Sequence, residues 1–205
     1  MSDGLVPQRA RSEGLTTHAT RAVAALAVTA FMLTGMWALE VADYLVDHRL
    51  DEYGIRSHEV SDLPQIFSAP FLHADFAHIM ANSLPFLVLG FLAAARGLSK
   101  FAVMNLLVIV VGGAGIWLTA PPRTETLGAS ILVFGYFGYL LGRGLFERHA
   151  ADIGIAVVVV LLYGTMILGV LPSTPGISWQ GHLFGMIGGV LAAWTLRRRL
   201  GQGAG

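Results

Sequence analysis

Uncharged apolar stretches of bilayer-spanning length recur along this chain and restrict its fold more than any other feature. About twenty apolar residues in a helix cross the roughly 30 Å hydrocarbon core of a bilayer. Such runs follow Arg21 (Ala22 to Leu39), Asp75 (Phe76 to Ala95) and Lys100 (Phe101 to Pro122), and each reads as a spanning helix. A fourth lies between Glu125 and Arg143. The long run from Ile153 to Leu196 is broken by LPSTPGIS, where Pro172 and Pro175 stop a helix, so it counts as two. The expected fold is all-α and polytopic, with six transmembrane helices.

Composition agrees, because 205 residues that are 55% hydrophobic and 13% charged, with a mean hydropathy of +0.66, are too apolar for a soluble domain. One membrane domain is expected over residues 21–199. The first twenty residues are polar and lack the apolar core of a signal peptide, so they read as a short disordered tail with nothing to cleave. Residues 200–205 read as a flexible, glycine-rich tail. A net charge of zero gives no reason to expect a nucleic-acid partner, and the absence of cysteine excludes disulfides, thiolate metal sites and a cysteine nucleophile.

Six spans put both ends on one side. Arg9, Arg11, Arg21, Arg96, Lys100, Arg143, Arg148, Arg197, Arg198 and Arg199 fall on that side, against Arg49, Arg56 and Arg123 opposite. The positive-inside rule then makes both termini cytoplasmic. The one sizeable loop, about 40–76, faces outward; it is acidic and carries the lipid-seeking stretch LPQIFSAPFL.

Polar groups within spans are costly and mark function. They are His78 and Asn82 in span 2, Ser130 in span 4 and His182 in span 6. All three spans enter from the outer side, and each polar group comes within the first turn or two, so the four share one depth. A serine needs a base to become nucleophilic, an imidazole is a natural one, and the tetrahedral oxyanion needs donors. His78, Asn82 and backbone amides near Ser130 are candidates for the last task. Neither the run from Ile153 to Leu196 nor that from Thr126 to Gly142 contains an acid, so a Ser-His dyad is the most that fits. Gly181, Gly185, Gly188 and Gly189 in span 6, with Gly128, Gly138 and Gly142 around span 4, would let these two helices touch.

Taken together, His78-Ile79-Met80-Ala81-Asn82 resembles the HxxxN element of the rhomboid family of intramembrane serine proteases, Gly128-Ala129-Ser130 its GxS element, and His182 to Gly189 its HxxGxxxG helix. The resemblance covers residues 21–199 and is nearest the six-helix bacterial form. It implies that Ser130 attacks a peptide bond with His182 as general base, and that His78, Asn82 and the Ser130 backbone amide hold the oxyanion. Gly128, Gly185 and Gly189 would support the helix contact, and Phe134 would pack on the catalytic imidazole. His73 resembles a further loop histidine, and Asp75 reads as the cap of span 2. No metal or cofactor is implied; the partners would be transmembrane protein substrates and the lipid bilayer, in a bacterial inner membrane.

The chain departs from the family's usual GxSG at Ile131, a β-branched residue that stiffens the turn and points either to lipid or into the oxyanion pocket. That departure motivates an alternative, a catalytically weak rhomboid-like protein that binds membrane helices without cutting them. A more remote alternative is a metal-binding or transport protein using His73, His78 and His182. His18, His48, His58 and His149 lie among charged neighbours and read as solvated.

Overall fold

A computed structural model describes residues 8–172 and 176–197, with side chains from residue 17 onward. Six α-helices account for most of it: α1 (Gln8–Leu45), α2 (Phe76–Ala94), α3 (Leu98–Thr119), α4 (Ser130–Glu147), α5 (Ala150–Tyr163) and α6 (Trp179–Thr195). Four segments are long and apolar enough to cross a membrane: Thr17–Leu45, Phe76–Ala94, Leu98–Thr119 and Ala150–Val170, the last being α5 with the 3₁₀ turn that follows it. The two helices outside that group, α4 and α6, pack against each other, and α4 is the central helix of the bundle. Nearly every residue of α4 from Ile131 to Leu140 is buried, so this helix meets protein on all sides and tolerates more polar groups than a lipid-facing one.

Lipid tails are as apolar as leucine, so helices in a membrane associate through close packing and interhelical hydrogen bonds. Glycine supplies the first here. Gly185 of α6 lies on the carbonyl of Ile131, Gly189 on that of Gly135, and Gly138 of α4 on that of Met186, leaving no room for a Cβ at any of the three. The glycine-lined contact expected between spans 4 and 6 is present. Hydrogen bonds supply the second: Trp37 Nε1 donates to Ser83 Oγ at 3.0 Å between α1 and α2, and the Tyr136 hydroxyl donates to Asn105 Oδ1 at 2.8 Å between α4 and α3.

Several boundaries differ from expectation. Residues 8–20, read as disordered tail, continue α1, because nothing in QRARSEGLTTHAT breaks a helix. Residues 1–7 and 198–205, including the expected C-terminal tail, lie outside the described residues. Helix α1 also runs past Glu40 to Leu45, since Glu40 and Asp43 are buried on its inner face.

The outer loop is a packed cap. It carries 3₁₀ turns at Arg49–Tyr53, Val60–Phe67 and Ala69–Phe71, and a two-residue strand β1 (Ile55–Arg56) that pairs antiparallel with β2 (Glu125–Thr126). Ile66 and Ala69 face inward, while Val60, Leu63 and Phe67 are exposed. The β1–β2 pair, with Arg123 Nε to Glu59 Oε1 at 3.3 Å, ties this loop to the segment that leads into α4.

Candidate active site

Ser130 is the first residue of α4, and the backbone before it is held from the outer loop. The Gly128 N–H donates to Ala69 O at 2.9 Å, and the Ala129 N–H to His73 Nε2 at 3.2 Å. The next amide, that of Ser130, donates to no group among the described residues and belongs to the unpaired first turn of the helix. Gly128 adopts φ 129°, where a side chain is strained, and a Cβ there would sit 2.6 Å from Cε1 of His78. The GxS glycine thus gives the turn its shape and lets the His78 ring lie against the backbone two residues before Ser130.

His78 is in the first turn of α2, capped by Asp75, whose Oδ1 accepts the His78 N–H at 2.7 Å as expected. Asn82 follows one turn later, buried, with its Nδ2 donating to His78 O at 3.1 Å. The His73 and His78 rings meet edge to face at 5.1 Å. His73 lies outside the helices and is 2% exposed; burial, reinforced by His78, pushes it down to about 3, so it is neutral and its Nε2 lone pair can accept the Ala129 N–H.

His182 occupies the first turn of α6, where Ser178 caps the helix. Its Nδ1 donates to the Gly169 carbonyl at 2.8 Å, and its ring stacks on Phe134 at 4.0 Å with 7° between planes. Phe134 is one turn beyond Ser130 on α4. A donating Nδ1 leaves Nε2 as the acceptor nitrogen, and among the described residues that atom has no partner. Ser130 Oγ likewise makes no hydrogen bond among them. The carbonyl of Gly169 does for the imidazole what the acid of a Ser-His-Asp triad does, fixing tautomer and ring orientation without a charge. Gly169 must stay small for this, because a Cβ would lie 2.9 Å from Phe134 and 3.0 Å from His182.

A rhomboid domain model matches residues 60–199 of the chain. A protein of unassigned function from Mycobacterium tuberculosis is 42% identical over 169 residues, covering 78% of this chain and 70% of that one, and one from Mycobacterium leprae is 43% identical over the same length, covering 78% and 67%. A provisionally named rhomboid protease of Bacillus subtilis is 31% identical over 125 residues, 60% of this chain and 62% of that one. The chain belongs to the rhomboid family. It is an integral, multi-pass membrane protein.

In this rhomboid Ile131 takes neither of the two directions expected of it. Its side chain is 1% exposed and points between α3 and α6, where a Cβ on Gly112 would come within 2.6 Å of its Cγ2 and Gly181 lies beside its Cγ1. The bulk absent from position 112 of α3 is present at 131 of α4. The contact of Gly169 with His182 had no trace in the sequence beyond a glycine in an apolar run, because a backbone acceptor has no side-chain signature. His73, His78 and His182 do not converge on one point among the described residues, and two of them already spend a ring nitrogen on the backbone.

Proposed function

We propose that this rhomboid is an intramembrane serine endopeptidase, with Ser130 as nucleophile and His182 as general base. The observation that carries it is the state of His182: Nδ1 committed to Gly169, the ring stacked on Phe134, which lies one helical turn from Ser130, and Nε2 open. Nε2 takes the Ser130 proton as Oγ attacks the scissile carbonyl, then returns it to the leaving amine. The carbonyl oxygen, now an anion, is met by the Ser130 N–H, with His78 and Asn82 as side-chain donors. Because Gly128 and Ala129 have spent their amides on the outer loop, the Ser130 amide is the first one available. Hydrogen bonds at such sites tighten when substrate binds, so an open Ser130 Oγ is compatible with this role.

The membrane domain crosses six times with both termini cytoplasmic, which agrees with the gathering of Arg96, Lys100 and Arg143 at the end away from Ser130. Its substrates are transmembrane proteins whose helices are locally unstable, since an intact helix shields its peptide bonds. The mycobacterial relatives favour a bacterial inner membrane. The packing of Ile131 toward Gly112, away from His78, supports cleavage over helix binding without cleavage.

A fluorophosphonate probe tests this directly. Labelling of the detergent-purified protein that disappears in Ser130→Ala, together with cleavage of a model transmembrane substrate, is expected. No labelling and no cleavage would leave a helix-binding protein, and full activity in Ser130→Ala would end the proposal.

A further inference from the structure

Away from Ser130, the end of α1 gathers acidic groups whose bonding is incomplete. Glu40 and Asp43, three residues apart on one helix face, are 2% and 1% exposed. Asp43 is engaged: Oδ1 accepts the Leu50 N–H at 2.7 Å, and Oδ2 lies 3.2 Å from His48 Nδ1. Neither oxygen of Glu40 has a hydrogen-bond partner among the described residues, nor does the buried Oδ1 of Asp51. Asp43, His48 and Asp51 each present a ligand atom, all within 4.8 Å of one another. Glu40, one turn before Asp43 on the same buried helix face, stands beside this group, with Asp43, Asp51 and His48 as its leading charged neighbours. No lysine or arginine forms an ion pair with any of the three carboxylates among the described residues.

Buried carboxylates are tolerated when paired or when they ligate a metal. We propose that Glu40, Asp43, His48 and Asp51 form a binding site for a first-row divalent cation of the Mn²⁺ or Zn²⁺ class. Three carboxylates suit an oxygen-seeking ion, and the imidazole turns preference away from Ca²⁺ and Mg²⁺, which favour all-oxygen shells. Ligands about 2.0–2.2 Å from a tetrahedral ion stand roughly 3.3 Å apart, close to the Asp43–His48 separation. His48, whose side chain is 46% exposed, offers the route of entry. A bound ion would clip the end of α1 to the turn Arg49–Tyr53 that opens the outer loop.

The test uses the full-length, untagged protein in detergent micelles, stripped with a chelator and dialysed against Mn²⁺ or Zn²⁺. One ion per chain is expected, with a raised thermal midpoint and at least tenfold weaker binding of Ca²⁺ and Mg²⁺. Glu40→Gln and the exposed His48→Ala should each weaken binding at least tenfold, while Ser130→Ala binds as the parent does. Absence of saturable binding, or binding unchanged in both ligand variants, overturns the proposal. So does a parent protein that takes up no ion while Glu40→Gln is the more stable of the two, which would mean that these carboxyls share protons instead.

Discussion

The two ends of α4 both bury polar groups, and they treat them in opposite ways. Near Glu147 the buried charges are paired: Asp152 Oδ1 takes Arg96 at 2.7 Å and Arg143 at 3.1 Å, Arg143 also reaches Glu147 at 3.3 Å, and its guanidinium lies 5.8 Å from the Tyr139 ring centre. Near Ser130 pairing is partial: His73 and His182 each engage the backbone through one ring nitrogen and leave the other without a partner among the described residues. His182 is fixed through Nδ1 and open at Nε2; the GxS backbone is fixed through Gly128 and Ala129 and open at the Ser130 amide. Complete pairing makes a strut, and partial pairing on a rigid frame makes a reactive site.

The sharpest way to break this comparison is to cross it. Ser130→Ala should lower cleavage of a transmembrane substrate by about 10⁴-fold or more while leaving the unfolding midpoint in micelles unchanged, and His182→Ala should lower cleavage as far. Asp152→Ala should do the reverse. It strands Arg96 and leaves Arg143 with Glu147 alone in a low-dielectric setting, so unfolding should become easier by about 3 kcal/mol, with cleavage by the folded fraction retained. If the two variants lose the same property, the ends do not differ in kind.

Within the proposed site, Asn82→Ala removes one of the proposed oxyanion donors and spares the bonds that hold Gly128, Ala129 and His182. A fall of about 10²- to 10³-fold in kcat is expected, with KM little changed. A change confined to KM would make Asn82 a substrate-positioning residue.

How much of this could be read from the chain depended on whether side chains or backbone did the work. The apolar runs placed the helices, and shared depth along three of them gave the expectation that Ser130, His78, Asn82 and His182 lie at one level, each in the first two turns of its helix. Stacking of Phe134 on His182 came from the resemblance and is present in the structure. The partner of His182 escaped, since Gly169 acts through its carbonyl, and so did the tie between the outer loop and the GxS backbone, since Ala69 also acts through a carbonyl. Asp152 escaped for another reason: it stands just ahead of the apolar run of α5, where a charge looks like an ordinary helix flank.

His73 links the frame to pH. Folded it titrates at about 3, against about 6.5 when unfolded, so between those values the unfolded chain binds a proton that the native protein refuses. Its contribution to stability is complete above about pH 6.5 and is lost progressively as pH falls toward 3, with a slope approaching 1.4 kcal/mol per pH unit. Unfolding midpoints measured between pH 7 and 4 should fall more steeply for the parent than for His73→Gln. Equal slopes would remove His73 from the frame.

The smallest effect probes how α4 carries isoleucine after its serine. In Gly112→Ala the new methyl would come within 2.6 Å of Ile131 Cγ2, and overpacking of that kind costs about 1–3 kcal/mol. Replacing glycine by alanine inside a helix returns up to about 1 kcal/mol, so the net loss should be about 0–2 kcal/mol. Trimming the opposing side chain removes the clash but not the helix gain, so Gly112→Ala should become neutral or stabilising in an Ile131→Ala background. That sign change, read from the two single variants and the double, measures the Gly112–Ile131 complementarity directly. Additive effects would mean that α4 accommodates Ile131 without help from α3, and that Gly112 is small for another reason.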